Sequence, residues 1–312
     1  MTERTIVIGT RGSDLALWQA REAARMFTRT SEVKIIKTSG DRFLDIPLQG
    51  RVDKGFFTKE IEAQLLAGDI DVAVHSLKDL PTENPKGLSL GAYLRRAACS
   101  DLLLVHPDWH DPQAPFYLKS GCQVGATSLR RQCLLKTFAP HVEPGFLRGN
   151  VPNRIAKCVQ GQYGAIILAR AGVERLNLDL DPLRVYELDP KIWLPAPGQG
   201  AIAIQIREDD TSMEQEAASI NHETTAMAIS IERNLLAAYE GGCHTAFGSL
   251  AIKSGSTWTV FVGMDNGKGK WIHAKFTGDY PACFNLKPED LHHFDLADER
   301  QSQNLLKPHE TP

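Results

Sequence analysis

Residues 5–27 read TIVIGTRGSDLALWQAREAARMF, and this stretch decides the fold class. Thr5–Ile8 is short, apolar and β-branched, as a buried strand requires. Ser13 or Asp14 can cap a helix whose apolar positions run through Leu15, Ala16, Leu17 and Trp18 to about Phe27. The unit is therefore strand, turn, helix. Working outward, a second strand is expected at Val33–Lys37. A helix from about Thr58 to Ala67 follows, closed by Gly68, and then the apolar strand Ile70–Val74. Such alternation implies a mainly parallel sheet with helices on both faces. The pattern restarts after Gln123 with a strand, a helix from Ser128, a strand at Gly145–Leu147, a helix from about Val151 and a buried strand at Ala165–Leu168. Two similar α/β domains are the economical reading.

A long amphipathic stretch, about Ser212 to Tyr239, leads into Glu240-Gly241-Gly242-Cys243. Beyond it the composition changes to alternating strands around the hairpin signal Asp265-Asn266-Gly267, which marks a third, smaller α+β domain. From about Asn285 the chain is polar and rich in Asp, His and Pro with weak periodicity, and it is left unassigned or read as partly disordered.

The bulk numbers exclude several classes. At 312 residues the chain has room for two or three domains with cores of their own. With 42% hydrophobic and 23% charged residues and a formal net charge of -3, nothing calls for nucleic acid or a membrane surface. No uninterrupted apolar stretch approaches bilayer length, and a cytoplasmic protein is expected. The six cysteines lack paired CxxC spacing, so neither a disulfide framework nor a zinc site is indicated.

Any anion site must then be local, and the arginines supply a candidate. Arg130 and Arg131 fall in the first turns of the helix opened by Thr127-Ser128. Cations there oppose the helix dipole by a few tenths of a kcal/mol, roughly, but they stand beside free backbone N–H groups, which suits a carboxylate or phosphate. Arg148-Gly149-Asn150 sits at a strand end and Arg154 one turn into the next helix, where open α/β sheets line their ligand crevice. Arg11, in the first strand-to-helix turn, is expected to face the same crevice. Taken singly, each of these is more commonly a solvated surface arginine.

Val74-His75-Ser76-Leu77-Lys78-Asp79-Leu80-Pro81 crowds polar groups at a strand's carboxyl end. Asp79 is open to two readings, a structural ion pair or turn cap, or an acid/base group and counter-charge to a cation. His75 reads as a satisfied strand-end histidine, since no ligand stands at metal spacing. Cys243 follows two glycines that can present its sulfur at a loop tip, as a nucleophile, an attachment point or an ordinary loop thiol. No metal is expected.

Together these segments resemble the porphobilinogen deaminase family, in order and spacing, over about residues 5–250. The resemblance is carried by Gly9-Thr10-Arg11-Gly12-Ser13-Asp14-Leu15-Ala16-Leu17-Trp18-Gln19, by Asp53-Lys54-Gly55-Phe56-Phe57-Thr58-Lys59-Glu60 and by residues 74–81 quoted above. It continues in Gly125-Ala126-Thr127-Ser128-Leu129-Arg130-Arg131-Gln132, Leu147-Arg148-Gly149-Asn150-Val151, Leu194-Pro195-Ala196-Pro197-Gly198-Gln199-Gly200-Ala201 and Glu240-Gly241-Gly242-Cys243.

The resemblance implies an α/β fold of two type II periplasmic-binding-protein-like domains plus a smaller α+β C-terminal domain. The first would comprise residues 1–95 and 200–216, the second 100–195 and the third 220–312. It also implies a dipyrromethane cofactor thioether-linked to Cys243, which primes the head-to-tail condensation of four porphobilinogen molecules, each losing ammonia. Asp79 would be the catalytic aspartate. Lys78, Ser76, Ser13, Thr127, Ser128, Arg130, Arg131 and Gly149 would hold the cofactor. Arg11, Lys54, Arg148, Arg154, Gln19 and Gln199 would hold substrate. Arginine suits carboxylates because its planar fork binds them bidentately. The expected partner is the small-molecule substrate alone, with no nucleic acid and no membrane, and the expected state is a monomer.

The sequence departs from the family pattern in places. His244-Thr245-Ala246 follow Cys243 where Gln-Val-Pro is usual, Val52-Asp53 replace two glycines before Lys54, and Asn153 replaces a threonine. The family's long C-terminal helix has no counterpart in residues 285–312. Two other functions fit parts of the pattern: a non-catalytic polycarboxylate-binding protein, and a transferase using Cys243 as nucleophile without a stored primer.

Overall fold

The computed structural model describes residues 4–38, 58–239, 246–292, 294–295 and 305–309. Strand β1 (Ile6–Thr10) feeds helix α1 (Asp14–Met26), and β2 (Ser31–Ile35), α2 (Lys59–Ala67), β3 (Val72–Ser76) and β4 (Leu88–Tyr93) follow. Then come β5 (Asp101–Val105), β6 (Gln123–Gly125), α3 (Leu129–Phe138), β7 (Glu143–Gly145), α4 (Val151–Val159), β8 (Ala165–Ala169), α5 (Arg170–Leu176) and β9 (Arg184–Leu188). The chain continues through β10 (Ile202–Arg207), α6 (Thr211–Ile220), α7 (Glu223–Tyr239), β11 (Phe247–Ser254), β12 (Thr257–Asp265), β13 (Trp271–Gly278), α8 (Tyr280–Phe284), β14 (Phe294–Asp295) and β15 (Leu306–Pro308).

The chain divides into two compact units, Met1–Ala97 with Gln199–Met227, and Ala98–Gly198 with Ala228–Pro312. The first holds a five-stranded sheet of order β2-β1-β3-β10-β4. The second holds a six-stranded sheet of order β7-β6-β8-β5-β9-β15 and a four-stranded sheet of order β11-β12-β13-β14. Aside from β15, the two larger sheets have one plan. A parallel trio (β2, β1, β3 or β7, β6, β8) is followed by a strand antiparallel to both of its neighbours (β10 or β5). The fold is thus two type II periplasmic-binding-protein-like α/β sheets plus a small α+β region.

The sheets are mixed, which corrects the expectation of mainly parallel ones. The inserted strand is apolar on both faces whichever way it runs, so its direction leaves no mark on the residue pattern.

Each large sheet is buried on two sides, as alternation along a strand demands. In the first unit Ile6, Ile8, Val72 and Val74 face Ala20 and Ala23 of α1 and Met213 and Ala217 of α6. Ala73 and Val7 join Ile61 and Leu65 of α2 in a separate cluster. In the second unit Leu102, Leu104, Ile166 and Leu168 pack with Ile155 and Cys158 of α4. Leu103, Val105 and Ile167 pack with Leu134, Leu135 and Phe138 of α3, and this cluster also takes in Leu250 and Trp271 of the small sheet. The small sheet therefore shares a core with the second large one.

Local signals hold where partners lie close in sequence. Ser13 caps α1, its Oγ accepting from the Ala16 N–H at 3.3 Å. Gly68 ends α2 at φ +78°, in the left-handed region that glycine enters without steric cost. The amphipathic stretch from Ser212 to Tyr239, however, is two helices. Asn221 stops α6 and accepts the Tyr93 N–H at 2.9 Å, and His222 Nδ1 accepts from the Thr225 N–H at 3.2 Å as α7 begins. Beyond Asn285 the described residues include β14 and β15, the latter pairing antiparallel with β9.

Candidate functional site

The carboxyl ends of β1 and β3 open on a cavity of about 80 Å³ lined by Arg11, Ser13, Gln19, His75, Ser76 and Asp79, among others. Two motifs distant in sequence meet here because β1 and β3 are neighbours in the sheet. Gln19, buried on α1, places its Nε2 2.8 Å and its Oε1 3.0 Å from Ser76 Oγ, which joins the helix to the strand end. Leu77–Asp79 form a single 3₁₀ turn after β3, with Leu77 buried and Lys78 and Asp79 exposed. Among the described residues, no hydrogen bond or ion pair engages the Asp79 carboxylate. The ion-pair and turn-cap readings of Asp79 lose ground, and its acid remains available to a ligand.

Behind this cavity lies His75, buried at 6% exposure, its Nε2 3.2 Å from Gln205 Oε1 on β10. Burial lowers its pKa to about 4, with Arg11 adding to the effect and the Gln205 hydrogen bond opposing it. The imidazole is neutral near pH 7.

The second unit gathers the other arginines. Arg148 follows β7, and Gly149 takes φ +116°, which a side chain would strain. Asn150 caps α4, its Oδ1 accepting the Asn153 N–H at 3.0 Å. The two carbonyls of the loop are held from α4: Arg154 Nε donates to Gly149 O at 2.7 Å and Lys157 Nζ to Arg148 O at 3.1 Å. The half-buried Arg148 guanidinium lies over the exposed Phe146 ring, 5.1 Å from its centroid. Thr127 Oγ1 donates to Leu147 O and accepts the Leu147 N–H, so its one hydroxyl proton is committed to joining the two loops. Ser128 is exposed at the N-terminus of α3.

Arg130 and Arg131 occupy a setting the sequence does not announce. Both are buried around Asp101, the first residue of β5, which is fully buried. Arg130 Nη2 reaches Asp101 Oδ2 at 2.9 Å, and Arg131 donates from Nε at 3.0 Å and Nη2 at 2.6 Å. Trp193 Nε1 adds a fourth donor at 3.1 Å. Arg130 Nη1 also bonds Leu194 O, and Arg131 Nη1 bonds Ile167 O at 2.9 Å. Burial alone would raise the Asp101 pKa, but the two guanidinium groups outweigh it and hold the carboxyl well below the usual range. The picture of two guanidiniums simply displayed at a helix start therefore needs correction, because much of their donor capacity is spent internally. Among the described residues Arg130 Nε is buried without a partner.

Gln199 is buried at 1% exposure, its backbone carbonyl accepting from Arg96 Nε at 2.9 Å. Lys54 and Cys243 lie outside the described residues. The helix that leads to Cys243 is α7, and it is anchored from within. The fully buried Glu232 accepts the Gly198 N–H at 2.8 Å and the Ala251 N–H at 3.0 Å. Among the described cysteines, burial pushes the thiols of Cys122 and Cys158 up to about 12 and that of Cys133 up to about 11, which makes them poor nucleophiles. No group of His, Cys, Asp and Glu among the described residues could hold a metal ion.

Two residues with evident consequence were not singled out for it from sequence. Asp101 opens the apolar run DLLLV, and its signal is a charge where a buried strand should begin. Gln205 stands inside the apolar strand IAIQIR, an equally visible anomaly.

Known proteins supply independent comparisons. The family model described as "Porphobilinogen deaminase, dipyromethane cofactor binding domain" matches residues 6–215. The porphobilinogen deaminase of Syntrophomonas wolfei is 42% identical over 275 residues, 86% of this chain and 88% of its own. A probable porphobilinogen deaminase of Methanocaldococcus jannaschii is 42% identical over 250 residues, 79% of this chain and 82% of its own. Among solved structures, the Bordetella pertussis BvgS periplasmic VFT2 domain aligns over 69% of this chain and 86% of its own, at 14% identity and a TM-score of 0.41. With a family model spanning most of the chain and relatives this similar along most of their own length, the chain belongs to the porphobilinogen deaminase family.

Proposed function

We propose that the chain is a hydroxymethylbilane synthase, a transferase of tetrapyrrole and haem biosynthesis. It would deaminate porphobilinogen, join four molecules head to tail on a dipyrromethane primer carried by Cys243, and release the linear tetrapyrrole by hydrolysis. The observation that carries this reading is Asp79, an acid with no side-chain partner among the described residues, in a cavity that also contains Arg11, Ser13 and Ser76.

Dipyrromethane fits the donor set, because its acetate and propionate groups require fixed cations and the chain provides them. Bound through Cys243, it would supply the nucleophilic pyrrole carbon on which the chain grows. Arg11 and Lys78 of the first unit would pair with ligand carboxylates, with Ser13, Ser76 and Gln19 as neutral partners. Arg148 and Arg154 of the second unit would do the same from a loop whose carbonyls are already tied to α4. Arg130 and Arg131 would act through the N–H groups that Asp101 leaves over, with Ser128 and the Gly149 backbone beside them. Thr127 would shape the loop, and Lys54 and Gln199 would complete the substrate contacts.

Asp79 would lie against the pyrrole N–H groups and stabilise the positive charge that develops as the C–N bond to ammonia breaks. Such a fixed counter-charge is worth on the order of 10²–10³ in rate. It can also move the protons that the substitution releases. No helix among the described residues is long and apolar enough to cross a membrane. A cytoplasmic monomer is part of the proposal in its own right. Residues 220–312 would form the domain that carries the primer.

Intact-protein mass spectrometry on protein from a host that makes porphobilinogen tests the reading. The expected result is an added mass of two linked pyrrole units, absent in Cys243→Ser, with tetrapyrrole formation by the loaded protein. A bare chain without that activity would overturn it.

A further inference from the structure

The hydrogen bonds of the first unit determine the state of His75. Glu62, buried on α2, is held at Oε2 by the Thr58 hydroxyl at 3.3 Å, and its Oε1 lies 3.3 Å from Gln205 Nε2. The Gln205 amide turns its NH₂ group toward Glu62, donating to Oε1. Its carbonyl oxygen therefore faces His75, and the imidazole nitrogen at 3.2 Å, Nε2, must carry the proton. Glu62 thus dictates the tautomer through an intervening amide without lending its charge to the ring. Burial and Arg11 keep the ring neutral, its pKa lowered to about 4 against the opposing Gln205 bond. What remains is Nδ1, a lone-pair acceptor on a side chain that lines the same cavity as Asp79 and Arg11.

We propose that His75 is a further ligand-binding residue, a neutral imidazole fixed as its Nε2–H tautomer by Gln205 and Glu62 so that Nδ1 accepts a hydrogen bond from an N–H of the pyrrole substrate. The identity of the ligand rests on the function proposed above; the tautomer does not. The cavity otherwise offers Arg11 as a donor, the Ser76 and Gln19 pair satisfying one another, and Asp79 as a charged acceptor. A neutral acceptor beside a cation orients an N–H without attracting a second carboxylate-binding cation.

Two measurements test this. In the long-range ¹H–¹⁵N spectrum of the wild-type holoenzyme near neutral pH, His75 should show a protonated Nε2 and an unprotonated Nδ1. A proton on Nδ1, or a doubly protonated ring, would overturn the proposal. Steady-state kinetics with porphobilinogen should then separate three variants. His75→Asn, whose amide oxygen can replace Nδ1, should keep KM within about threefold. His75→Gln and His75→Leu should raise KM on the order of tenfold, the loss of one hydrogen bond, with kcat changed less. Equal KM values for His75→Asn and His75→Leu, with dipyrromethane still attached by mass, would also overturn it. A wild-type chain without dipyrromethane would instead refute the proposed function and leave the tautomer measurement intact.

Discussion

Asp79 and Asp101 are the same residue in opposite circumstances. Asp101 is fully buried, accepts four hydrogen bonds and is the shared counter-charge of two arginines. Asp79 is exposed at a cavity and, among the described residues, has no such partner. A carboxylate surrounded by fixed donors is already at its electrostatic minimum and can only organise its surroundings. One without donors still has that energy to give to a ligand. The contrast gives Asp101 a place in the architecture and agrees with the chemistry proposed for Asp79.

The largest expected effect would come from removing the charge at Asp79. Asp79→Asn should lower turnover by about 10³-fold, within the range for loss of an acid/base or counter-charge group, while dipyrromethane remains attached and the thermal midpoint stays near that of the wild type. Single-turnover kinetics and intact mass check this, and near-wild-type turnover would end the contrast. Asp101→Ala should behave in the reverse manner. It leaves two buried guanidiniums without their counter-charge and should cost about 3–5 kcal/mol of stability, read by denaturant unfolding. A stable but inactive Asp101→Ala would move that residue into the chemistry.

A pH series sharpens the same division. The folded His75 pKa of about 4 lies below its ordinary 6.5. Between those values the unfolded chain binds a proton that the folded one refuses. Stability should therefore fall as pH drops from about 6.5 toward 4, by on the order of 3 kcal/mol from this group, and His75→Asn should flatten that window. Asp101, whose pKa is depressed, contributes stability above the ordinary carboxylate range and should lose it only in stronger acid. Smaller again is Arg148→Leu, expected to weaken cofactor assembly or substrate binding about tenfold, the share of one charge-assisted pair, without altering the unfolding midpoint. Normal primer content with unchanged KM would show that the guanidinium only covers Phe146.

Features with nearby partners were legible in the chain. The Ser13 cap, the Gly68 stop and the alternation of strands and helices each depend on residues within a turn or two. The family motifs located both clusters. Features that depend on distant partners were hidden. The break at Asn221-His222 interrupts a continuous apolar period, and the Asn221 side chain bonds Tyr93, 128 positions away. The burial of Arg130 and Arg131 requires Asp101, 29 and 30 positions away, and the composition of α3 does not announce it.

By itself, the amino-acid sequence determined the α/β character of the molecule, the capped helix ends at Ser13 and Gly68 and its family, and it singled out Asp79 as the candidate acid, because periodicity, capping and motif order are local or linear properties. Tertiary structure alone decided the antiparallel insertion of β5 and β10, the confinement of two arginines around one carboxylate, and the tautomer of His75, set by a glutamine 130 positions distant. These depend on which strands become neighbours. The strength and direction of a buried hydrogen bond are fixed by geometry that no single segment of the chain contains.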